Sequence, residues 1–215
     1  MIIAIDGPAG SGKTTTAHKV AKCLGFIHIN TGAMYRGIAL KFIRENVRLD
    51  DKLAIKKILQ NTQLDFEGPH LTIIHMDGKD ISAEITSSKV TENVSRISAI
   101  SEVRLKLVEY QRQMAKNRNV VLEGRDIGTV VFPNADYKFY LVADIQVRAK
   151  RRKKEIEGAG EDISLEDAIL FLQDRDQEDS SRDLSPLVKA DDAIELDTTY
   201  LSIEEQVDYI IQIVN

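Results

Sequence analysis

A glycine-rich segment near the beginning of the chain, residues 7–14 with the sequence GPAGSGKT, constrains the fold more than any other stretch. It matches G-x-x-x-x-G-K-[ST], the pattern of a phosphate-binding P-loop. The apolar residues of 1–5 precede the segment and predict a short strand, and apolar residues within 17–24 follow it at helical spacing. Gly25 is placed to end this helix. A strand, a glycine loop and a helix are the context that this motif requires.

Glycine residues allow backbone N–H groups of such a loop to point inward, and the N-terminus of the following helix adds partial positive charge. We expect Lys13 to reach the β- and γ-phosphates of a bound nucleotide, and the Thr14 hydroxyl to bind Mg²⁺. A glycine turn that happens to precede a helix is the structural alternative, which the flanking strand and helix disfavour. The residues predicted to bind the polyphosphate are Gly7, Pro8, Ala9, Gly10, Ser11, Gly12, Lys13, Thr14 and Thr15.

The composition of the chain favours a globular domain and argues against a membrane or nucleic-acid partner. The 215 residues are 43% hydrophobic and 29% charged, an ordinary balance for a globular α/β domain. No apolar run approaches the roughly 20 residues of a membrane span, and the chain starts directly in a strand, so we expect neither a membrane partner nor a signal peptide. Cys23 is the only cysteine, which fits a reducing cytoplasm, and a net charge of −5 argues against nucleic acid as a partner.

Strands and helices alternate along most of the chain. Besides the first strand, short apolar segments at 26–30, 119–122, 137–142 and 192–196 predict strands, and helical patterns separate them. This alternation predicts an α/β fold of the P-loop NTPase type, a five-stranded parallel sheet with helices on both faces.

Residues 62–85 have a different pattern, because turn signals separate their short apolar segments. Asp77-Gly78 is a hairpin signal. We interpret 62–85 as a small β-containing insertion into a single domain, 1–215. A helical pattern resumes after the insertion, and we predict that it breaks near Ser98.

Two predicted strands carry arginine beyond their carboxyl ends. Tyr35 and Arg36 follow the second strand, and Arg125 and Asp126 follow the strand at 119–122. Ligands of open parallel α/β sheets bind at these ends. The planar guanidinium group binds phosphate through two hydrogen bonds, so two arginines beside a P-loop indicate a second anion near the γ-phosphate. A structural salt bridge is the alternative for each arginine.

Six of the seven residues in 148–154 are basic. Three interpretations are open: a solvated helix face, a nucleic-acid patch, or a mobile lid that brings arginines over a triphosphate. Arg148 and Arg152 are spaced i, i+4 and therefore share one helix face. The glycine-rich tip at 158–160 suits a moving segment. We favour a lid over 148–163, because phosphoryl transfer needs charge neutralisation on the transferred group.

Two further helical segments carry residues whose role is ambiguous. Arg175, Asp179 and Arg182 are spaced i, i+4, i+7 and form one stripe, which is either a surface salt-bridge ladder or part of a site. Ser95 and Arg104 lie on another helical segment with the same two interpretations open.

Four stretches of the chain together are similar to the bacterial cytidylate kinase family, one of the nucleoside monophosphate kinase families. They are IAIDGPAGSGKTT at 3–15, NTGAMYRGIAL at 30–40, EGRDIGTVVFPNADYKFYLVA at 123–143, and the charged region at 175–199. The resemblance runs from end to end, and EGRDIGTVVFP is specific to this family rather than to P-loop kinases in general. It also matches 62–85 with the family's insertion in the monophosphate-binding part.

The resemblance implies a role for each matching position. The residues that it implies for reading the cytosine are Thr31, Arg104, Asp126 and Arg182. Those implied for the phosphate of CMP are Arg36 and Arg125, with Tyr35 beside them. Those implied near the pentose are Ser95, Arg175 and Asp179. The implied catalytic residues are Lys13, Arg125, Arg148 and Arg152, of which the last two match lid positions.

The implied reaction is transfer of the γ-phosphate of ATP to CMP or dCMP, with Mg²⁺ as the cofactor. Thr14 would bind the metal directly and Glu123 through water. Glu123 stands where some relatives carry aspartate, Asn30 where relatives often carry an acid, and Glu178 where some carry arginine. The attacking atom is already a phosphate oxygen, so positioning and charge stabilisation suffice. We expect a cytoplasmic monomer whose partners are these small molecules.

Two other functions remain open. Another small-molecule kinase, acting on UMP, AMP or a metabolite, would share the P-loop and the lid, and only the Asp126 and Arg182 pair and the EGRDIG stretch separate it. A non-enzymatic nucleotide switch would usually carry an Asn-Lys-x-Asp motif, which this sequence lacks.

Overall fold

Strands and helices alternate along the chain, as its sequence pattern predicts. In the computed structural model, which describes residues 1–68, 71–158 and 160–215, the strands are β1 Ile2–Asp6, β2 Ile27–Asn30, β3 Leu64–Glu67, β4 Ile73–Met76, β5 Lys79–Asp80, β6 Val120–Gly124, β7 Tyr137–Val142 and β8 Ile194–Asp197. The α-helices are α1 Lys13–Leu24, α2 Thr31–Arg44, α3 Lys52–Asn61, α4 Ser88–Ser98, α5 Ser101–Ala115, α6 Ile145–Gly158, α7 Leu165–Ser180 and α8 Ile203–Val214. Pro69 and His70 of the predicted insertion, and Ala159 of the predicted lid, lie outside the described residues.

The larger sheet is parallel, with the strand order β2-β6-β1-β7-β8. Ile5 of the central strand β1 pairs in register with Glu123 of β6 and Phe139 of β7. Asp6 pairs with Gly124, so the P-loop after β1 and the segment after β6 leave the sheet side by side. The predicted five-stranded parallel sheet is confirmed.

Helices cover both faces of this sheet, which explains why its central strands are continuous apolar runs. On one face, Ile5 packs with Val20 of α1 and Ile210 of α8. On the other face, Leu122 belongs to a larger apolar cluster that includes α2 to α5 and the small sheet described next. None of the helices in the described part of the chain has the length and apolar character to cross a membrane.

β3, β4 and β5 form a separate antiparallel sheet inside the predicted insertion. Asp77 and Gly78 turn between β4 and β5 with φ values of 53° and 77°, as the hairpin signal predicts. The buried face of this small sheet packs on α2 at Gly37. A Cβ there would lie 3.2 Å from a methyl carbon of Leu64 and 3.3 Å from one of Ile81. The missing side chain therefore allows α2 and the small sheet to approach closely.

A third, smaller apolar cluster joins α6 and α7 to the P-loop. Its buried members are Ala9, Ala149, Ala168 and Leu172. Three of these four residues are alanine, so the fully buried part of this cluster contributes less apolar area than either of the two larger clusters.

The predicted helix break is confirmed, because α4 ends at Ser98 and α5 begins at Ser101. One element between β6 and β7 was not predicted, a five-residue π-helical turn at Ile127–Val131. Sequence periodicity indicates helices of 3.6 residues per turn, and a five-residue turn is too short to show a period.

Candidate active site

A cleft of about 390 Å³ opens at the carboxyl ends of β1 and β6 and is lined by side chains from α2, α4, α5, α6 and α7. Most of the residues predicted from the sequence line it. They are Ala9, Gly10, Gly12, Lys13, Thr14, Thr15, Thr31, Tyr35, Arg36, Ser95, Arg104, Glu123, Arg125, Asp126, Arg152, Arg175, Asp179 and Arg182. Gly7, Pro8, Ser11 and Arg148 are not part of this lining. The fold thus brings six distant segments of the sequence to one cleft.

Two glycines give the P-loop its shape. A Cβ on Gly7 would lie 2.2 Å from the carbonyl oxygen of Leu141 in β7, so any other residue would collide with the backbone. Gly12 has a φ of 92° directly before α1, a left-handed conformation that favours glycine. The loop therefore runs close against β7 and turns sharply into α1, which places the positive end of the α1 dipole at Lys13 and Thr14 in the cleft.

Lys13 is buried and folds back on the loop. Its Nζ donates to the carbonyl oxygen of Pro8 at 2.5 Å and to Ser11 Oγ at 3.2 Å. Burial, and then the charge of nearby Arg125, lower the pKa of the Lys13 ammonium group well below its ordinary value of 10.5. An anion in the cleft would oppose both effects and would be a stronger partner than a neutral carbonyl oxygen.

Thr14 and Glu123 bring two oxygen atoms together where β6 ends. The Thr14 hydroxyl donates to Glu123 Oε1 at 2.7 Å, and Glu123 is buried. Such oxygens suit Mg²⁺, which is usually held by one or two protein groups together with substrate phosphates. Within the described ranges, no cluster of three or more histidine, cysteine, aspartate or glutamate side chains could hold a metal by itself.

Four arginines, Arg36, Arg125, Arg152 and Arg175, lie close enough to interact electrostatically. We refer to them as the arginine cluster. Arg125 Nε donates to an Asp179 carboxylate oxygen at 2.8 Å, and the Arg152 guanidinium lies 3.1 Å from a Glu155 carboxylate oxygen. In the described part of the chain, Arg36 forms no ion pair and the buried Nε of Arg175 has no hydrogen-bond partner. The carboxylates that pair with the arginine cluster therefore supply less negative charge than the four arginines supply positive charge.

Burial and mutual repulsion lower the pKa values of two arginines in the cluster. Burial, and then the charge of Arg125, lower the pKa of Arg175 from 12.5 to about 9, so the group stays charged at neutral pH. Burial also lowers the pKa of Arg36, an effect that nearby Glu123 opposes. A bound phosphate would offset the repulsion between these cations, so the chemistry of the cluster suits an anion.

Asp126 and Arg104 form a buried ion pair on another wall of the cleft. The Arg104 guanidinium lies over the ring of Tyr35, with Cζ 5.3 Å from the ring centroid. It also donates to the carbonyl oxygen of Ser98 at 3.1 Å. Buried charged groups with fixed partners keep their hydrogen-bonding atoms in one orientation, which suits recognition of a planar base.

Arg182 and Asp179 connect α7 to α4. Arg182 pairs with Asp179 and donates to Ser98 Oγ at 2.8 Å. Asp179 also accepts from Arg125, so one carboxylate links the arginine cluster to the wall that carries Asp126. Burial opposes ionisation of Asp179, but Arg125 and Arg182 outweigh it, and the pKa of this carboxyl is lowered. The stripe predicted on α7 therefore faces the cleft rather than forming a surface ladder.

Arg148 and Arg152 share a helix face, yet their guanidinium groups do not meet in the cleft. Arg148 is buried, pairs with Asp176, and donates to the carbonyl oxygen of Ala9 at 3.2 Å. Arg152 lines the cleft, with its Cζ 5.6 Å from the ring centroid of Phe171. The structure thus places Arg148 behind the P-loop and Arg152 beside the arginine cluster.

Arg151 also lines the cleft, although the sequence pattern did not predict it as a site residue. It donates to the carbonyl oxygen of Thr198 at 2.7 Å and to that of Gly10 at 3.4 Å. Arg151 belongs to the basic run, but the i, i+4 rule selects its neighbours. Its partner lies beyond β8, and no local pattern reveals that contact.

Asp6 is another residue that the sequence pattern did not predict as part of the site. It is buried at the end of β1, and both its oxygens accept backbone hydrogen bonds, from Ile127 and Gly128. Burial raises the pKa of its carboxyl from 3.8 to about 6, although these hydrogen bonds oppose the shift. The sequence did contain a signal for Asp6, because an aspartate directly after an apolar strand is expected to be buried. A buried carboxylate needs fixed hydrogen-bond partners.

The chain resembles one family of known proteins over nearly all its length. The family model described as Cytidylate kinase matches residues 3–215. A protein named Cytidylate kinase from Fusobacterium nucleatum subsp. nucleatum is 47% identical, over 98% of this chain and 95% of that relative. Another of that name from Clostridioides difficile is 43% identical, over 100% of this chain and 98% of the relative.

Solved structures with low sequence identity share the fold. An uncharacterized protein from Eubacterium ventriosum has a TM-score of 0.53 at 13% identity, and covers 100% of this chain and 98% of its own. TT1252 from Thermus thermophilus has a TM-score of 0.50 at 18% identity, with 100% and 95% covered. At such identities the likeness concerns the fold alone.

Proposed function

Because the chain belongs to the cytidylate kinase family, we propose that it transfers the γ-phosphate of ATP to CMP or dCMP, giving ADP and CDP or dCDP. One observation carries the proposal. A single cleft holds a P-loop, a cluster of arginines with too few partners, and the buried pair of Asp126 and Arg104. Transfer between two nucleotides needs two phosphate sites and a base site in this proximity.

The donor half of the proposed site is the P-loop with its neighbours, residues 7–15. Lys13 exchanges the Pro8 carbonyl for phosphate oxygens, and the Thr14 and Glu123 oxygens fit Mg²⁺, Thr14 directly and Glu123 through water. When bound, Mg²⁺ neutralises charge on the β- and γ-phosphate oxygens.

The acceptor half comprises the arginine cluster and the wall with Asp126. Arg36 and Arg125 hold the phosphate of CMP, with Tyr35 beside them. Ser95, Arg175 and Asp179 lie at the pentose. The cytosine is read by Thr31, Arg104, Asp126 and Arg182. The support for these roles is that all of these side chains line one cleft and that most have buried partners.

Catalysis in this proposal rests on positioning and charge. A phosphate oxygen of CMP attacks the γ-phosphorus in line, the bond to the β-γ bridging oxygen breaks, and ADP leaves with the electron pair. Lys13, Arg125 and Arg152 stabilise the charge on the transferred group. Arg148, which was predicted as a catalytic residue, touches the Ala9 carbonyl and Asp176 rather than the cleft. We therefore assign it a positioning role on the P-loop.

The proposal extends to organisation and surroundings. We propose a single domain over 1–215, with 62–85 as an insertion near the acceptor half and 148–163 as a lid. The protein acts as a monomer on small nucleotides in the cytoplasm, and neither nucleic acid nor a membrane is its partner. The net charge of −5 supports the exclusion of nucleic acid, because polyanions would be repelled.

A coupled assay of ADP release tests the function. ATP and Mg²⁺ are held at saturation while CMP, dCMP, UMP, AMP and shikimate are offered in turn. We expect CMP and dCMP to be the efficient acceptors. Turnover of UMP, AMP or shikimate in preference to CMP would contradict the substrate assignment. Nucleotide binding without transfer to any acceptor would indicate a nucleotide switch.

A further inference from the structure

Asp6 connects the two halves of the cleft through one side chain. It ends β1 directly before the P-loop and is 5% exposed, yet it does not line the cleft. Its Oδ1 accepts from the Ile127 N–H at 2.9 Å and its Oδ2 from the Gly128 N–H at 2.7 Å. Both oxygens are thus used by the π-helical turn at 127–131.

This turn starts directly after Asp126, the residue proposed to read the base. The carbonyl oxygen of Asp126 accepts from the N–H groups of Val130 at 2.9 Å and Val131 at 3.1 Å. The two N–H groups that Asp6 binds belong to the next residues along the chain. Asp6 therefore fixes the backbone immediately beside Asp126.

Side chains pack closely around this end of the turn. A Cβ on Gly128 would lie 3.1 Å from Lys138 Cδ and 3.4 Å from Asp6 Oδ2. Lys138 is itself held at 2.6 Å by the carbonyl oxygen of Pro133 and at 2.7 Å by Asp192. Gly128 is thus enclosed between two anchored side chains.

A different residue holds the other end of the turn. Arg112 of α5 donates from Nε to the Val131 carbonyl oxygen at 2.9 Å and from Nη2 to that of Val130 at 2.8 Å. Arg112 is exposed and outside the cleft lining. The two ends of one turn can therefore be perturbed separately.

We propose that Asp6 is a positioning residue for the acceptor nucleotide, holding the backbone at 125–128 so that Arg125 and Asp126 face the bound CMP. The inference rests on the proposed function, because the acceptor defines its readout. A carboxylate offers an acceptor to each of the two buried N–H groups, whereas an amide offers one acceptor and sets its NH₂ group against the other.

The donor half depends less on Asp6, because other residues brace the P-loop. Thr198 Oγ1 donates to the Ser11 carbonyl oxygen at 3.0 Å. Asp176 accepts from the Ala9 N–H at 3.2 Å, and Arg148 donates to the Ala9 carbonyl oxygen. Loss of the Asp6 contacts therefore affects the acceptor more than ATP.

The test compares kinetic constants for the two substrates in Asp6→Asn. We expect kcat/KM for CMP to fall by about tenfold or more through a higher KM for CMP, while the KM for ATP changes by less than about twofold. A general loss of folded protein lowers kcat and leaves both KM values unchanged, so it does not raise the KM for CMP. Gly128→Ala is a second variant that retains the carboxylate but crowds the turn, because its Cβ would lie 3.1 Å from Lys138 Cδ and 3.4 Å from Asp6 Oδ2, and it should shift the same constant in the same direction.

Arg112→Gln is the matched control, because it releases the far end of the same turn. It should lower thermal stability and leave kcat/KM for CMP within about twofold of the wild type. An unchanged value in Asp6→Asn, an equal loss for ATP, or an equal CMP defect in Arg112→Gln would overturn the positioning role. If Asp6→Asn does not fold, Gly128→Ala decides by the same criteria. A wild type that does not phosphorylate CMP contradicts the proposed function instead.

Discussion

The hydroxyl of Thr14 donates to Glu123 Oε1 at 2.7 Å, so a single hydrogen bond joins the first turn of α1 to the end of β6. The same two side chains form the proposed metal site, Thr14 directly and Glu123 through water. Because β6 also leads to Arg125 and Asp126, the metal site and the acceptor site share one strand.

Thr14→Val should raise the Mg²⁺ concentration needed for half-maximal activity by about tenfold or more, because the shape is kept and the hydroxyl is lost. The measurement is activity against Mg²⁺ at fixed ATP. Thr16→Val is the matched control: its hydroxyl lies on the same helix but donates to Gln206 Oε1 at 2.7 Å, outside the cleft. An equal Mg²⁺ requirement in the two variants would contradict the metal assignment.

Lys13→Met should lower kcat by about 100-fold or more at saturating CMP, because a charge aimed at the transferred phosphate is lost. Lys19→Met provides the control, since Lys19 lies on the same helix and pairs with exposed Glu204. Thermal unfolding should show that both variants fold. A fall in kcat of less than about tenfold in Lys13→Met would refute the role of this lysine.

Asp126 should set the preference for CMP over UMP. Cytosine presents an N4 amino donor to a carboxylate, whereas uracil presents O4, an acceptor that the carboxylate repels. Asparagine is the better substitution, because alanine would leave the buried Arg104 unpaired. Asp126→Asn should lose most CMP activity and most of the discrimination, measured as kcat/KM for both nucleotides.

The control for this selectivity is Asp50→Asn, which alters the carboxylate partner of the exposed Arg48 away from the cleft. Its ratio of CMP to UMP activity should equal that of the wild type. If Asp126→Asn keeps the wild-type ratio, Asp126 does not read the base and only a general kinase assignment survives.

Amide exchange over 148–163 should slow when a bisubstrate analogue binds, because its phosphates offset the repulsion among the basic residues there. Among the described residues, the small cluster between α6 and α7 shares no member with the two larger cores, so 148–163 can move without opening either of them. Exchange in α8, whose Ile210 belongs to one of those cores, serves as the reference. Equal protection of 148–163 with and without the analogue would exclude closure.

Stability should depend on pH through Asp6. Burial raises the pKa of its carboxyl to about 6, so the folded state binds the proton more tightly than the unfolded state does. The contribution of Asp6 to the free energy of unfolding is therefore largest at low pH and falls as pH rises from about 4 to about 6. Relative to Asp6→Asn, which keeps the neighbouring Lys13 and Asp126, the wild type should lose up to roughly 3 kcal/mol over this range. Urea unfolding at several pH values measures this difference, and a constant difference would contradict it.

Features that depend on consecutive residues could be predicted from local sequence patterns. The P-loop, the turn at Asp77 and Gly78, and the bounds of β7 at 137–142 could all be predicted from the sequence. Each depends on glycine conformation or on an apolar run, and neither needs a distant partner.

Long-range contacts explain what the sequence could not show. The Asp6 carboxylate binds an N–H group 121 residues away, and Arg151 donates to a carbonyl partner 47 residues away.

Arg148 shows that helical spacing alone does not determine which side chains reach the cleft. Helical spacing correctly puts it on one face with Arg152, but the packing of α6 on the P-loop buries the first and leaves the second in the cleft.

The close approach at Gly37 limits how this chain can diverge or be redesigned. The small sheet can change freely only on its outer face, at Asp65, Glu67 and Ile73. The inner face must keep its dimensions, at Leu64, Ile74 and Ile81. A bulkier inner residue would press on α2 and tilt the helix that carries Tyr35 and Arg36 to the cleft. The small sheet thus acts as a spacer of fixed thickness. Substitutions on its inner face would change the geometry of the proposed acceptor site, although the sheet does not contact that site.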